Sequence, residues 1–217
     1  TGADALSALS MPALTDVVAL RLSMNRALAS LDFGGLQTVR DDLTIAGNPA
    51  LSRCTAGRLW VSLTTRPPHT NLSANQDRTC GQSDLCAQVS VPEITNGKVF
   101  QCIDQASYAK QESGCAGLGG YLLWFESASE WSAVRARFAS KQLPESWVGY
   151  SDAASEGQWR ATSGFTGYDP TASSGFWMSG EPGNAGGSED CAVAGAGGAY
   201  ASDCSIERPR VCRVPMH

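Results

Sequence analysis

LGGYLLWFESASEW, residues 118–131, decides how the second half of the chain folds. Ser127 and Glu130 stand at the spacing of a capping box, ahead of Trp131, Val134 and Phe138. That spacing puts three apolar side chains on one helical face and predicts a helix packed on a core. Upstream, residues 105–118 read as another helix holding Cys115, closed by Gly119-Gly120 and followed by a short apolar strand over 121–125. Downstream, Trp147-Val148-Gly149-Tyr150 reads as a strand. Residues 151–191 are then rich in Gly, Ser, Pro and Asp. So long a connection is not a passive one, and it is expected to carry function.

In chain order these pieces are Cys115, LGGYLLWFESASEW, WVGYSDAASEGQW, WMSGEPGN, EDC and a final VCRV. The series resembles the C-type lectin domain over roughly residues 86–217. The resemblance implies an α+β fold with a long loop region, Cys115 joined to Cys212 to close the domain, and Cys191 joined to Cys204 to brace the loop. It also implies Cys86 with Cys102 as the hairpin bond of long-form members, which leaves Cys54 and Cys80 for the segment upstream. Each such bond typically contributes about 2–4 kcal/mol, chiefly by restricting the unfolded chain.

The family binds calcium in the long loop, and many members hold sugar through one of those ions. Calcium needs six to eight hard oxygens, so the donor positions are read one at a time. At the principal site, Glu181 and Glu189 match the family's pattern. The triplet, however, is Glu181-Pro182-Gly183 where the family has Asn last, and the Asn-Asp pair before Cys204 falls on Tyr200 and Ala201. Asn184 by a one-residue shift, or Asp203 by rearrangement, would have to rebuild it. At the ancillary site the matching positions hold Asp152, Glu156, Asn184, the Glu189 backbone carbonyl and Asp190, every one an oxygen donor. The expectation is one calcium ion, at the ancillary site; solvated loop acids are the alternative. Trp177, Tyr200 and Tyr168 are candidate faces for a sugar ring, although for Trp177 a place in the core is the stronger reading.

The N-terminal segment repeats. Leu6, Leu9, Leu14 and Val17 recur 22 residues later as Leu28, Leu31, Leu36 and Val39; one inserted residue then sets Leu20, Leu22 and Asn25 against Leu43, Ile45 and Asn48. A third unit begins at Leu51 and puts Cys54 where Leu9 and Leu31 stood. Such a period marks a stacked solenoid in which the Asn bonds backbone inside the turn. LTIAGNPALS resembles the leucine-rich, right-handed β-solenoid of receptor L-domains. Two amphipathic helices are the alternative, interrupted by Pro12, Gly34, Gly35 and Pro49. The expected organisation is solenoid repeats over 1–53, a capping segment over 54–85 and the lectin-like domain over 86–217. With fewer than three repeats present, the array is expected to extend upstream of Thr1. Asn71-Leu72-Ser73 is a glycosylation sequon.

Charge divides along the same line. Residues 1–86 have no Lys or Glu, with seven Arg against seven Asp, whereas residues 87–217 carry nine basic and fourteen acidic side chains, so the formal charge of −5 lies entirely there. No basic stripe exists for nucleic acid. Apolar runs fall short of the roughly 18 residues of a membrane span, and no signal peptide opens the chain. Eight scattered cysteines without a C-x-x-C pair point to disulfides and an oxidising, extracellular compartment, secreted or at the cell surface.

An enzyme finds little support. His69 and His217 lie outside the lectin-like core, Glu189-Asp190 as strand neighbours point to opposite faces, and Gly195-Ala196-Gly197-Gly198 lacks the Lys of a phosphate loop. The reading is therefore an extracellular recognition or adhesion protein binding a glycan or glycoprotein with calcium assisting the loop. The alternative is protein–protein recognition without calcium-dependent sugar binding.

Overall fold

The computed structural model describes residues 5–76, 80, 85–140, 143–168, 170–171 and 174–216. The chain divides into two units, Thr1–Cys86 and Ala87–His217.

In the first unit the periodic apolar positions are strands. β1 (Ala8–Ser10) pairs in parallel with β3 (Ser30–Asp32), Leu9 lying opposite Leu31. β2 (Asp16–Ser23), β4 (Thr38–Ala46) and β5 (His69–Asn71) form a three-stranded parallel sheet. Val17 faces Val39 and Leu22 faces Ile45, and a register shift after Val17 absorbs the inserted residue. The helical alternative is thereby excluded. These are two small sheets, and a closed solenoid is not found among the described residues. The second layer is dry, with Leu28, Leu36, Val39, Leu43 and Ile45 buried, while Leu14, Val17, Leu20 and Leu22 of the first layer are half-buried.

Asparagines tie the layers together. Asn48 is fully buried; its Oδ1 accepts from the Asn25 N–H at 3.0 Å and from Asn25 Nδ2 at 3.1 Å. Its Nδ2 donates to the carbonyls of Leu22 (3.0 Å) and Ala46 (3.2 Å). The Asn48 N–H in turn donates to Asn75 Oδ1 at 3.2 Å, making Asn75 a third rung. The repeat does not predict that rung, because Asn75 lies 27 residues beyond Asn48. The extra chain holds helix α1 (Arg53–Ser62), started by Ser52, whose Oγ accepts from the Cys54 N–H at 3.2 Å. Cys54 therefore sits in a helix, not in the strand position of Leu9 and Leu31; it is joined to Cys80.

The second unit is an eight-stranded sheet beginning at Cys86. Its strands are β6 (Cys86–Val89), β7 (Gly97–Ala106), β8 (Tyr121–Leu122), β9 (Ser146–Ser151), β10 (Arg160–Ala161), β11 (Cys191–Gly195), β12 (Gly198–Ser202) and β13 (Arg208–Pro215). The order is β12-β11-β9-β13-β7-β6, with β10 on β9 and β8 on β13. Helices α2 (Tyr108–Ala116) and α3 (Ala128–Ala139) fall where the sequence puts them, except that β7 runs to Ala106 and delays α2. Of the expected strand over 121–125 only the first two residues form a ladder.

Ser127 caps α3, its Oγ accepting from the Glu130 N–H at 3.2 Å. The return bond goes one residue further than a capping box requires, from the Glu126 N–H to Glu130 Oε2 at 2.7 Å. Trp131, Val134 and Phe138 enter a core with Phe125, Val148, Tyr150, Phe176 and Val211. Cys115 is joined to Cys212 and Cys191 to Cys204, and Cys86 and Cys102 are likewise oxidised.

Replacing Asn48 by Ala removes bonds to three neighbouring segments and leaves buried backbone groups unsatisfied. Asn48→Ala is expected to destabilise the first unit by about 2–4 kcal/mol. Denaturant unfolding of the full chain should show an earlier transition there, while that of the second unit stays in place.

Candidate functional site

The loop between β9 and β11 is pinned at its exit by the Cys191–Cys204 disulfide and by the pairing of Cys191 with Ser151. Within it, Glu181 Oε2 accepts from the N–H groups of Gly183 (2.7 Å) and Ala201 (2.9 Å). Glu189 Oε2 accepts from the Ala185 N–H at 2.9 Å, and Asn184 Oδ1 from the Glu189 N–H at 3.4 Å. Gly183 lies between the two carboxylates. A β-carbon there would stand 3.2 Å from Glu189 Oε2 and 3.6 Å from each Glu181 oxygen. The fold thus brings Glu181 and Glu189 to one point.

The other principal-site candidates go elsewhere. The Tyr200 hydroxyl donates to Glu145 Oε2 at 2.9 Å, and Arg208 lies over its ring at 5.4 Å. Asp203 Oδ1 accepts from the Ser205 N–H at 2.8 Å, which lowers its carboxyl pKa. Asn184 Oδ1 accepts from the Glu189 N–H within the loop and stays exposed. The backbone of Gly183 and Ala201 donates hydrogen bonds where side-chain oxygens would face an ion, so the principal positions do not fit a calcium. Glu145 was not foreseen, and no spacing links it to Tyr200, 55 residues on.

The ancillary positions differ. Asp152 is buried; its Oδ2 accepts from the Gly157 N–H at 2.9 Å, but its Oδ1 is buried with no hydrogen-bond partner among the described residues. A sealed, unsatisfied carboxylate oxygen is costly unless a cation faces it, and this end of the site fits a calcium ion. The Asp152 N–H donates to the Asp190 carbonyl at 3.2 Å, holding the two segments together. Glu156 and Asn184 are exposed, and Glu189 and Asp190 half-buried. No three carboxylates of the loop come within 4.8 Å of one another among the described residues. The one such group, Cys86, Cys102 and Asp104, has both sulfurs oxidised and no thiolate to offer a metal.

Nor are the aromatic candidates a platform. Trp177 is buried against Trp159 and Phe176, its Nε1 donating to the Pro170 carbonyl at 2.6 Å. Tyr168 is half-buried on Phe176, its hydroxyl bonded to the Ser174 carbonyl. Tyr200 is half-buried as well.

Burial, then the hydrogen bond to Glu145, pushes the Tyr200 phenol up to about 12. A folded-state pKa above the unfolded value of about 10 means that the fold retains a proton the unfolded chain gives up. The stabilisation is full below about pH 10 and is lost as pH rises toward about 12. Spectrophotometric titration should find a late-titrating tyrosine that Tyr200→Phe removes. Glu145→Gln should bring its midpoint down.

The model of the Lectin C-type domain matches residues 104–214. The hepatic lectin of Gallus gallus is 27% identical over 178 residues, covering 80% of this chain and 81% of that one. C-type lectin domain family 4 member M of Symphalangus syndactylus is 30% identical over 119 residues, 54% of this chain, but the match spans only 27% of that protein. Among solved structures, the Kupffer cell C-type lectin receptor Clec4f superposes with a TM-score of 0.51 at 23% identity, over 59% of this chain and 83% of that one. The mouse scavenger receptor C-type lectin carbohydrate-recognition domain does so with 0.50 at 20% identity, over 60% and 94%. With the family model matching half the chain, on a sheet and disulfide frame that agree with it, the chain belongs to the C-type lectin domain family, one of carbohydrate recognition and not of catalysis.

Proposed function

We propose that this chain is an extracellular recognition protein whose lectin domain binds a glycan or glycoprotein, with one calcium ion stiffening the long loop and not bridging to the sugar. The observation that carries this reading is the contrast between Asp152, with a buried and unpartnered oxygen, and Glu181, whose Oε2 is satisfied by two backbone N–H groups. Asp152, Glu156, Asn184, the Glu189 carbonyl and Asp190 would hold the ion, which supplies a fixed positive centre for loop oxygens. Relatives named as lectins support the ligand class. Eight oxidised cysteines support an oxidising compartment. None of the described helices is long and apolar enough to cross a membrane.

The first unit we read as stacked leucine-rich coils of the receptor L-domain kind. The parallel registers and the asparagine rungs support this. The domain limits proposed are 1–53 for the coils, 54–85 for their cap and 86–217 for the lectin domain.

A second reading, protein recognition without calcium-dependent sugar binding, is favoured by Gly183, Tyr200 and Ala201, which supply no calcium-binding side chain at the principal site. A glycan array read with and without chelator separates the two. Binding that weakens only partly on chelation fits an ion that orders the loop. Complete loss together with mannose competition would point to direct sugar coordination, and no glycan bound in either condition to protein recognition.

Calorimetry is expected to report one calcium per chain, with a dissociation constant of about 0.1–1 mM as in other extracellular modules. Asp152→Asn should abolish that binding and Glu181→Gln should barely alter it. Two ions per chain would overturn the assignment.

A further inference from the structure

Asn71-Leu72-Ser73 is the only Asn-x-Ser/Thr triplet in the chain. Its placement has consequences that the lectin domain does not absorb. Asn71 is the last residue of β5, which is an edge strand of the three-stranded sheet and pairs there with Thr44 of β4. The triplet alternates in exposure: Asn71 and Ser73 are open to solvent, and Leu72 between them is buried. Asn71 ends the strand and Ser73 opens the turn that follows, so both side chains stand outside while the middle residue anchors the segment in the core. Asn71 Oδ1 accepts from the Ser73 N–H at 3.0 Å, which fixes the amide by its oxygen and leaves its nitrogen without a protein partner among the described residues. The Ser73 carbonyl is held in turn by the Gly47 N–H at 3.1 Å.

We propose that Asn71 is an N-glycan acceptor, modified by a lipid-pyrophosphate-linked oligosaccharide. In the transfer, the Asn71 amide nitrogen bonds to the anomeric carbon of the first sugar. The bond from that carbon to the pyrophosphate oxygen breaks, the lipid pyrophosphate leaves, and the amide proton passes to a base of the transferase. The folded unit tolerates the product because neither Asn71 nor Ser73 contributes a side chain to the core. A glycan at this position also stands at the end of an edge strand, where it hinders strand addition by a second chain.

The proposal needs passage through a secretory lumen, which the extracellular reading supplies. Directing the full chain there with an appended secretion signal makes the test independent of that reading. Secreted from a eukaryotic cell line, the chain should lose mass on treatment with peptide N-glycosidase, and the peptide containing Asn71 should then carry Asp in its place. Ser73→Ala keeps the Asn71 bond to the backbone N–H but should abolish the shift. Asn71→Gln should do the same, and Ser73→Thr should retain it. Unmodified Asn71 in both the natural chain and Ser73→Thr, recovered folded with Cys54 joined to Cys80, would overturn the proposal. A mass shift that persists in Ser73→Ala and Asn71→Gln would overturn it equally.

Discussion

Two buried guanidinium groups on one strand set the terms for the lectin domain. Arg210 and Arg213 of β13 are essentially inaccessible to water. A buried charge is costly without an opposite partner, so each arginine dictates where other elements lie. Arg210 Nη1 meets Asp104 Oδ2 at 2.6 Å and the Gln111 side chain, joining β7 and α2. Gly114 in that helix is part of the same constraint, since a β-carbon would stand 2.7 Å from the Arg210 guanidinium carbon. Arg213 Nη1 meets Glu130 Oε2 at 2.9 Å and the Trp124 carbonyl at 3.2 Å, with the Trp124 ring 4.5 Å from its guanidinium. Between them, Cys212 is bonded to Cys115 and Val211 enters the core. Alternation along the strand therefore ties one face to α2 and the other to the start of α3. Glu130 consequently does double duty. Its carboxylate satisfies the Glu126 N–H at the head of α3 and neutralises Arg213, which explains why the return bond of the cap is displaced.

The first unit solves burial with neutral groups. A parallel stack must satisfy backbone donors and acceptors at every corner, and Asn offers a carbonyl and an amide on one short side chain. Asn48 and Asn75 use both and Asn25 its amide, layer upon layer, so the corner is bonded without any charge. That fits a segment with no Lys and no Glu, in which Arg40 pairs with Asp16 at the surface at 2.8 Å.

What the sequence made legible were features carried by short spacings. The α3 face, the strand at β9 and the 22-residue repeat are all read within two dozen residues, and the structure has them. The helix before Cys115 was read too long because β7 borrows its first residues, an outcome of pairing with β13 a hundred residues away and not of local propensity. Asn75 was missed for the same kind of reason, since α1 breaks the period. The partners of Arg210 and Arg213 lie 83 to 117 residues upstream of them, a separation at which no pattern in one sequence is visible.

The site shows the limit most clearly. Position by position, Gly183, Tyr200 and Ala201 are lost oxygen donors, and that was readable. How the carboxylate left behind is compensated was not, because backbone N–H groups have no residue code. Two N–H dipoles on one oxygen of Glu181 and one on Glu189 hold the two neighbouring carboxylates within the loop itself. The absence of a side chain at position 183 permits that closure, since the Gly183 N–H approaches Glu181 with only hydrogen between the carboxylates. Backbone donors thus stand around Glu181 where the family's pattern has side chains. Asp152 is the contrasting carboxylate of the loop, because one of its oxygens is buried with no hydrogen-bond partner among the described residues.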